Sequence, residues 1–196
     1  MERVDHLLKF VRTPHIEIPV NHRYVTIDGY SAYAYVSPEE VDRHVQNFSE
    51  RMDLNWYDQI FINMNGGIVF AADLIKLQKY TGKVRLIEYH PDGRVPKPIP
   101  AEFRDQKIAV IDDILDTGAT AKLIREHFPD AAMLCLVRKK SKDQTNKDEV
   151  QNSACAFEVD NKWLLGRGMN GDTKGDGLPE NWGRGYRGIA YKIEDH

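Results

Sequence analysis

Short apolar runs alternate with helical patterns along the middle of this chain, and this alternation restricts its fold more than any other feature. Strand-like runs are predicted at 60–64, 84–89, 108–111 and 131–137, and helices at 68–77 and 120–128. Strands that alternate with helices form parallel sheets through right-handed crossovers. The sequence therefore predicts an α/β fold whose central, mostly parallel sheet is flanked by helices. Ligands bind such sheets beyond the carboxyl ends of the strands.

A further helix is predicted to begin after Ser37. The Ser37 hydroxyl can cap the first turn, Pro38 suits the first helical position, and Glu40 completes a capping box. A buried stripe follows at helical spacing, formed by Val41, Val45, Phe48 and Met52. The helix predicted at 68–77 is expected to close at Gly82.

The remaining segments have less regular patterns. Residues 90–100 contain four prolines and a glycine, which predicts a long loop, and such loops are often functional lids. Residues 138–150 are polar and are expected to form a solvated loop. Two short strands are predicted at 156–159 and 162–165, followed by a glycine-rich stretch over 166–188.

Length and charge limit the class of protein. With 196 residues the chain is expected to be one domain, and its net charge of −3 argues against binding nucleic acid through bulk charge.

The cysteines and the N-terminal residues indicate the cellular compartment. Two cysteines, Cys135 and Cys155, are too few for a disulfide scaffold, and Cys135 lies in an apolar run that predicts a buried thiol. The N-terminal residues lack the apolar core of a secretory signal, and no run is long enough to cross a bilayer. A cytoplasmic protein without a membrane partner is the expectation.

The strongest local motif joins the strand at 108–111 to the helix at 120–128. Two adjacent carboxylates, Asp112 and Asp113, follow the strand, and Asp116 comes three residues later. The next four residues offer backbone N–H groups, hydroxyls and a helix N-terminus to a phosphate: Thr117, Gly118, Ala119 and Thr120. Carboxylates suit sugar hydroxyls, a divalent cation or a proton transfer. The alternative is a junction whose aspartates serve only as turn and cap residues.

This motif resembles the phosphoribosyl pyrophosphate signature of the type I phosphoribosyltransferases, and the order of segments from Ser37 onward is most similar to the hypoxanthine-guanine (6-oxopurine) branch. The resemblance implies that Asp112 and Asp113 contact the ribose hydroxyls, which also chelate Mg²⁺. It implies that Asp116 acts as general acid/base near the purine N7 and that residues 117–120 hold the 5′-phosphate. It also implies a small hood, built from the terminal segments, over a core of about 37–140, with 1–36 and 150–196 supplying hood and base-binding segments.

A second part of the resemblance concerns the leaving group and the lid. Residues 63–67, which begin at Asn63 and end in Asn65, Gly66 and Gly67, are similar to the family's pyrophosphate loop, although the family often has a basic residue where Asn65 stands. The glycines allow close approach of the backbone to an anion, and a plain strand-to-helix turn is the alternative. Tyr89 matches the mobile catalytic loop of the family, whereas Glu88 departs from its usual serine.

The resemblance also implies a base site and a second metal contact. Either Arg138 or Lys139 would donate to the purine O6, Trp163 would stack on the base, and the backbone from Leu164 would read its edge. The family's acidic metal contact corresponds to Asn170, and Asp172 stands two positions later. Arg187 is similar to a terminal arginine of the family that contacts pyrophosphate, and Arg184 is the alternative.

The resulting hypothesis is a Mg²⁺-dependent purine phosphoribosyltransferase that binds phosphoribosyl pyrophosphate and a purine base, forming a homodimer or homotetramer as the resemblance implies. Two alternatives stay open: a non-catalytic regulator that senses phosphoribosyl pyrophosphate, and a phosphoribosyltransferase for another nucleobase. A phosphatase of the haloacid dehalogenase type is disfavoured, because its carboxylates stand in a D-x-D pair rather than side by side.

Overall fold

The computed structural model describes residues 13–17, 23–27, 30–64, 66–88, 103, 105–140, 146–162, 164–169 and 185–192. Within these residues the chain forms a six-stranded sheet and a separate four-stranded sheet. In chain order the elements are β1 (His15–Ile16), β2 (Arg23–Ile27), β3 (Tyr30–Val36), α1 (Pro38–Ser49), a 3₁₀ turn (Leu54–Trp56), β4 (Gln59–Asn63), α2 (Gly67–Gln78), β5 (Lys83–Ile87), β6 (Ile108–Leu115), α3 (Ala119–His127), β7 (Ala132–Lys140), α4 (Lys147–Gln151), β8 (Ser153–Asp160), β9 (Leu164–Leu165) and β10 (Ile189–Lys192).

The larger sheet has the strand order β1-β8-β7-β6-β4-β5, and every neighbouring pair is parallel. Helices α1 and α2 pack on one face, where Phe48 and Phe70 belong to the main apolar cluster. Helix α3 and Val150 of α4 cover the opposite face over Phe61 and Met133. This arrangement confirms the predicted α/β fold with a parallel sheet flanked by helices.

The strands β6 and β7 run further than their apolar runs predict. Strand β6 continues through Asp112 and Asp113 to Leu115, and β7 continues through Arg138 to Lys140. Their polar ends still pair, since Leu115 lies opposite Arg138 in the register. The prediction of a solvated loop over 138–150 is therefore wrong for 138–140, which are strand, and for 147–150, which belong to a helix.

Helix α1 confirms the predicted start, and α2 ends differently from its prediction. The Ser37 hydroxyl accepts from the Glu40 amide at 3.2 Å, and the Glu40 carboxylate accepts from the Ser37 amide at 3.2 Å, completing the capping box. Helix α2 closes at Lys79, a left-handed residue with φ 50°, rather than at Gly82. The Lys79 amide donates to carbonyls of the last turn, so the helix covers the predicted range of 68–77 but is closed three residues before Gly82.

The smaller sheet is antiparallel with the order β2-β3-β10-β9, so both terminal segments build it, as the predicted hood requires. Strands β1 and β8 come from the same terminal ranges but pair in the larger sheet. The division into a core of 37–140 and hood segments stays a prediction. Tyr35 of β3 connects the two sheets, because its hydroxyl donates to the Ile16 carbonyl at 2.9 Å and accepts from the Asp160 amide at 2.9 Å.

Cys135 and Cys155 are free and buried, as predicted for Cys135. In the described part of the chain, no helix is both long and apolar enough to span a bilayer. The loop predicted over 90–100 lies outside the described residues.

Candidate functional site

Three neighbouring strands of the larger sheet carry the predicted site residues at their carboxyl ends. Strand β4 leads into Gly66 and Gly67 at the start of α2, β6 ends in the acidic segment before α3, and β7 ends at Lys139 and Lys140. The order β7-β6-β4 makes these ends adjacent. The site therefore lies at the edge where parallel sheets bind ligands.

The two adjacent aspartates have different surroundings because successive side chains of a strand point to opposite faces. Asp112 is 6% exposed, and its carboxylate accepts from Asn63 Nδ2 at 3.0 Å and from the Asp113 amide at 2.9 Å. Burial raises the pKa of Asp112 well above its ordinary value, and the negative charge of Asp113 raises it further. The expectation that both aspartates meet the ribose or a metal does not fit Asp112, whose carboxyl group is held inside the fold.

Asp113 lies against the glycine loop. A Cβ atom at Gly66 would overlap the Asp113 carboxylate, and one at Gly67 would lie 2.5 Å from the Ile111 carbonyl oxygen. The absence of a side chain at Gly66 therefore lets the carboxylate lie against the loop, and its absence at Gly67 lets the start of α2 lie against the backbone of β6. Asn65, the third predicted residue of the loop, lies outside the described residues.

Asp116 and Lys139 form an ion pair, with Lys139 Nζ 2.9 Å from Asp116 Oδ2. Lys139 is 7% exposed, so this pairing compensates a buried charge. Arg138 turns to the other face of β7, where its Nη2 donates to the Ser153 carbonyl at 2.6 Å. Of the two basic candidates, the structure brings Lys139 to the acidic segment and places Arg138 beside β8.

The turn at 117–120 has the backbone expected of an anion site. Gly118 adopts φ 79° and precedes α3 without a side chain that could cap it, and the Thr117 hydroxyl accepts from the Ala119 amide at 3.4 Å. Asn146 supports this turn, because its amide and its Nδ2 donate to the Thr117 carbonyl at 3.3 and 3.2 Å. A Cβ atom at Gly118 would lie 3.0 Å from the Asn146 carbonyl oxygen. The N–H groups of this turn and the helix dipole favour a phosphate.

The remaining predicted residues are divided between the described and undescribed parts of the chain. Leu164 is buried in β9, and the guanidinium of Arg187 pairs with Asp42 of α1 at 3.0 Å. Besides Asn65, the predicted residues outside the described ranges are Tyr89, Trp163, Asn170, Asp172 and Arg184, the alternative to Arg187. Asn63, Asn146 and Arg167, described below, were missed by the sequence analysis. Asn63 stands within the glycine-loop motif, which is the one signal that pointed to it.

The described residues fit a magnesium ion only in part. Among them no three His, Cys, Asp or Glu side chains cluster as metal ligands. Mg²⁺ commonly binds one or two carboxylates together with substrate oxygens and water, and the partly exposed Asp113 suits that role. Asp112 suits it less well, because its carboxyl group is only 6% exposed and is hydrogen-bonded inside the fold.

Comparisons with known proteins show that the chain is similar to several purine phosphoribosyltransferases. No sequence-family profile matches the chain. The chain is 23% identical to the hypoxanthine-guanine phosphoribosyltransferase of Aquifex aeolicus over 186 residues, covering 86% of this chain and 98% of that protein. It is 29% identical to the xanthine-guanine phosphoribosyltransferase of Idiomarina loihiensis over 119 residues, covering 55% and 71%. A crystal structure of a hypoxanthine-guanine phosphoribosyltransferase from Bacillus anthracis aligns with a TM-score of 0.65 at 20% identity, covering 82% of this chain and 98% of that one. These similarities confirm the predicted resemblance and the predicted fold.

Proposed function

We propose that this chain, similar in sequence and fold to hypoxanthine-guanine phosphoribosyltransferases, transfers the 5-phosphoribosyl group of phosphoribosyl pyrophosphate to N9 of a 6-oxopurine. The bond from the ribose C1 to the pyrophosphate oxygen breaks, the bond from C1 to N9 forms, and pyrophosphate leaves. The observation that carries the proposal is the ion pair between Asp116 and Lys139 beside the N-terminus of α3.

That ion pair supports a purine with an oxygen at C6. The Lys139 ammonium is a donor and the Asp116 carboxylate is an acceptor, and they lie 2.9 Å apart. A 6-oxopurine carries the complementary groups side by side: its O6 atom accepts a hydrogen bond, and its N7 atom can carry a proton. Lys139 would donate to O6 while Asp116 takes the proton from N7 as N9 attacks C1. A 6-aminopurine would place a donor against Lys139, so hypoxanthine, guanine and xanthine are the proposed bases.

The donor is proposed to lie across the adjacent strand ends. The N–H groups of the turn at 117–120 would bind its 5′-phosphate, Asp113 would contact the ribose hydroxyls, and the backbone at Gly66 and Gly67 would face the pyrophosphate. Mg²⁺, when bound, neutralises negative charge on the leaving pyrophosphate. Anchoring the distant 5′-phosphate positions C1 for attack. Roles for Tyr89, Asn65, Trp163, Asn170, Asp172 and Arg187 stay predictions.

A nucleobase panel tests this function. The protein is incubated with Mg²⁺, phosphoribosyl pyrophosphate and hypoxanthine, guanine, xanthine, adenine or uracil, and nucleotide and pyrophosphate are measured. We expect equal amounts of both products with 6-oxopurines, a strong loss in Lys139→Met, and activity retained in the matched control Arg138→Met. Donor binding without turnover on any base would favour the sensing regulator, and turnover only with uracil or adenine would overturn the base assignment.

We also propose that the chain self-associates through the exposed edge strand β5. Within the described residues β5 ends the larger sheet, and Val84 and Leu86 are 43% and 59% exposed at alternating positions of one face. Apolar side chains on an open sheet edge favour pairing with another chain. Light scattering should give a dimer or tetramer, and Leu86→Lys should shift it toward monomer; a monomeric wild type would contradict the proposal.

A further inference from the structure

A second turn reaches the glycine loop from the hood. Gly166, Arg167 and Gly168 follow β9, and all three have positive φ angles, of 105°, 52° and 96°. A Cβ atom at Gly168 would lie 2.5 Å from the Gly66 carbonyl oxygen, so the turn rests directly on the loop before α2. A left-handed arginine is energetically costly, and such conformations persist where the surrounding contacts require them.

The Arg167 side chain supplies those contacts. Although charged, Arg167 is only 6% exposed. Its Nη1 lies 2.7 Å from Asp73 Oδ2, its Nη2 pairs with Asp42, and its Nε donates to the Arg187 carbonyl at 2.6 Å. All three guanidinium nitrogens are therefore engaged, by α2, by α1 and by the chain entering β10. Charge-assisted hydrogen bonds from a planar guanidinium to separate, fixed partners are geometrically specific.

The position of Asp73 connects this cluster to the proposed donor site. Asp73 lies in α2, the helix that begins at Gly67 directly after the loop. Burial raises the pKa of Asp73, and the Arg167 charge opposes that shift by favouring its carboxylate. The loop at Gly66 is thus fixed from two sides: Gly168 rests on its carbonyl, and the Arg167–Asp73 pair holds the helix that follows it.

Resting on the function proposed above, we infer that Arg167 is a positioning residue for the phosphoribosyl donor. It acts on the donor by fixing Gly66 and Gly67, the backbone that would face the pyrophosphate, and it does not itself contact the reacting atoms. Arg167 touches both Asp42 and Asp73, but only Asp73 belongs to the helix that begins at the loop. The two carboxylates can therefore be compared in a test, in which a change of Asp42 also releases Arg187.

The experiment compares Asp73→Asn with Asp42→Asn in the full chain. The dissociation constant of Mg²⁺–phosphoribosyl pyrophosphate is measured by calorimetry without base, and KM for each substrate, kcat and Tm are measured in parallel. We expect Asp73→Asn to weaken donor binding about tenfold, with KM for the base and kcat nearly unchanged, and Asp42→Asn to weaken it less than threefold. Both variants should lower Tm, since each removes one partner of Arg167, and Asp42→Asn should lower it at least as much because it also removes the partner of Arg187.

Two further variants separate positioning from general stabilisation. Arg167→Lys, which keeps a cation that can reach one carboxylate, should bind the donor with an affinity between those of wild type and Arg167→Gln. Tyr35→Phe, which removes the hydrogen bonds of the Tyr35 hydroxyl with Ile16 and Asp160, should lower Tm without changing donor affinity. If Arg167→Gln does not fold, the comparison of Asp73→Asn with Asp42→Asn still decides the question.

The outcomes distinguish this inference from the function on which it rests. A wild type that binds no donor would overturn both. A wild type that binds the donor and forms nucleotide, while Asp73→Asn and Asp42→Asn have equal donor affinity, would overturn the positioning role and leave the function standing. A loss that affects donor and base equally would also overturn it, because it would indicate a general structural role.

Discussion

Two turns border the candidate site, and they differ in how far apart in the sequence their functional groups lie. The turn between β6 and α3 has one left-handed residue, Gly118, and its chemical groups are contiguous in the sequence. The turn in the hood has three left-handed residues, and its arginine is fixed by Asp73 and Asp42, which lie 94 and 125 positions away. The first turn concentrates proposed chemistry in a short motif, whereas the second supplies geometry that only the folded chain creates.

This difference implies that substitutions in the two turns affect different properties of the protein. Changes at the β6–α3 turn should remove a chemical step or a phosphate contact while the fold persists. Changes around Arg167 should alter binding and stability through displaced backbone. The following predictions test that separation.

The largest expected effect belongs to Asp116. Asp116→Asn should lower kcat about 10²–10⁴-fold, because the amide cannot accept the N7 proton, while donor affinity stays within about threefold. Steady-state kinetics and calorimetry with the donor alone measure the two quantities. Asp130→Asn, in an exposed turn, is the matched control. Equal losses of turnover and donor affinity would contradict the acid/base role and erase the contrast with the Arg167 turn.

An intermediate effect is expected at Gly66, where the two regions meet. Gly66 has φ −71°, which alanine adopts freely, so Gly66→Ala acts only through the overlap of its methyl group with Asp113. The carboxylate must move, and donor affinity should fall about tenfold or more, with little change in circular dichroism. Gly185→Ala is the control, because its Cβ would meet nothing within 4 Å. Unchanged donor affinity in Gly66→Ala would show that Asp113 and the loop do not act together.

The smallest expected effect concerns the buried Asp112. Because its pKa is raised in the folded state, the native protein binds more protons than the unfolded chain between the ordinary and raised values, and stability falls as pH rises through that window. Asp112→Asn should therefore be more stable than wild type at neutral pH, by about 2 °C or more in Tm, and the gain should shrink as pH falls toward 4. Thermal melts from pH 4 to 8 measure this, and a gain that grows on acidification would contradict it.

Features that depend on neighbouring residues could be predicted from the sequence. The capping box of α1 needs only Ser37, Pro38 and Glu40, and the glycine at the start of α3 stands within its own motif. The parallel sheet follows from alternating strands and helices. These predictions require no knowledge of which distant side chains meet.

Features that depend on register or distant contacts could not be predicted. Strands β6 and β7 continue past their apolar runs because pairing with neighbours also holds polar residues such as Arg138 in the sheet. Lys139 reaches Asp116, and Arg138 does not, because of the alternation along β7. The sequence Gly-Arg-Gly gives no sign that Asp42 and Asp73 will surround the arginine.

The opposite orientation of Asp112 and Asp113 has a consequence for how this chain can diverge. Deleting one residue within β6 would exchange the two positions, turning the hydrogen-bonded carboxyl toward the glycine loop and the loop-facing carboxylate into the interior. Replacing an apolar residue in β6 would cost stability in proportion to the lost packing and leave the aspartates in place. Homologous sequences should therefore differ in the residues of β6 while keeping the length of the strand.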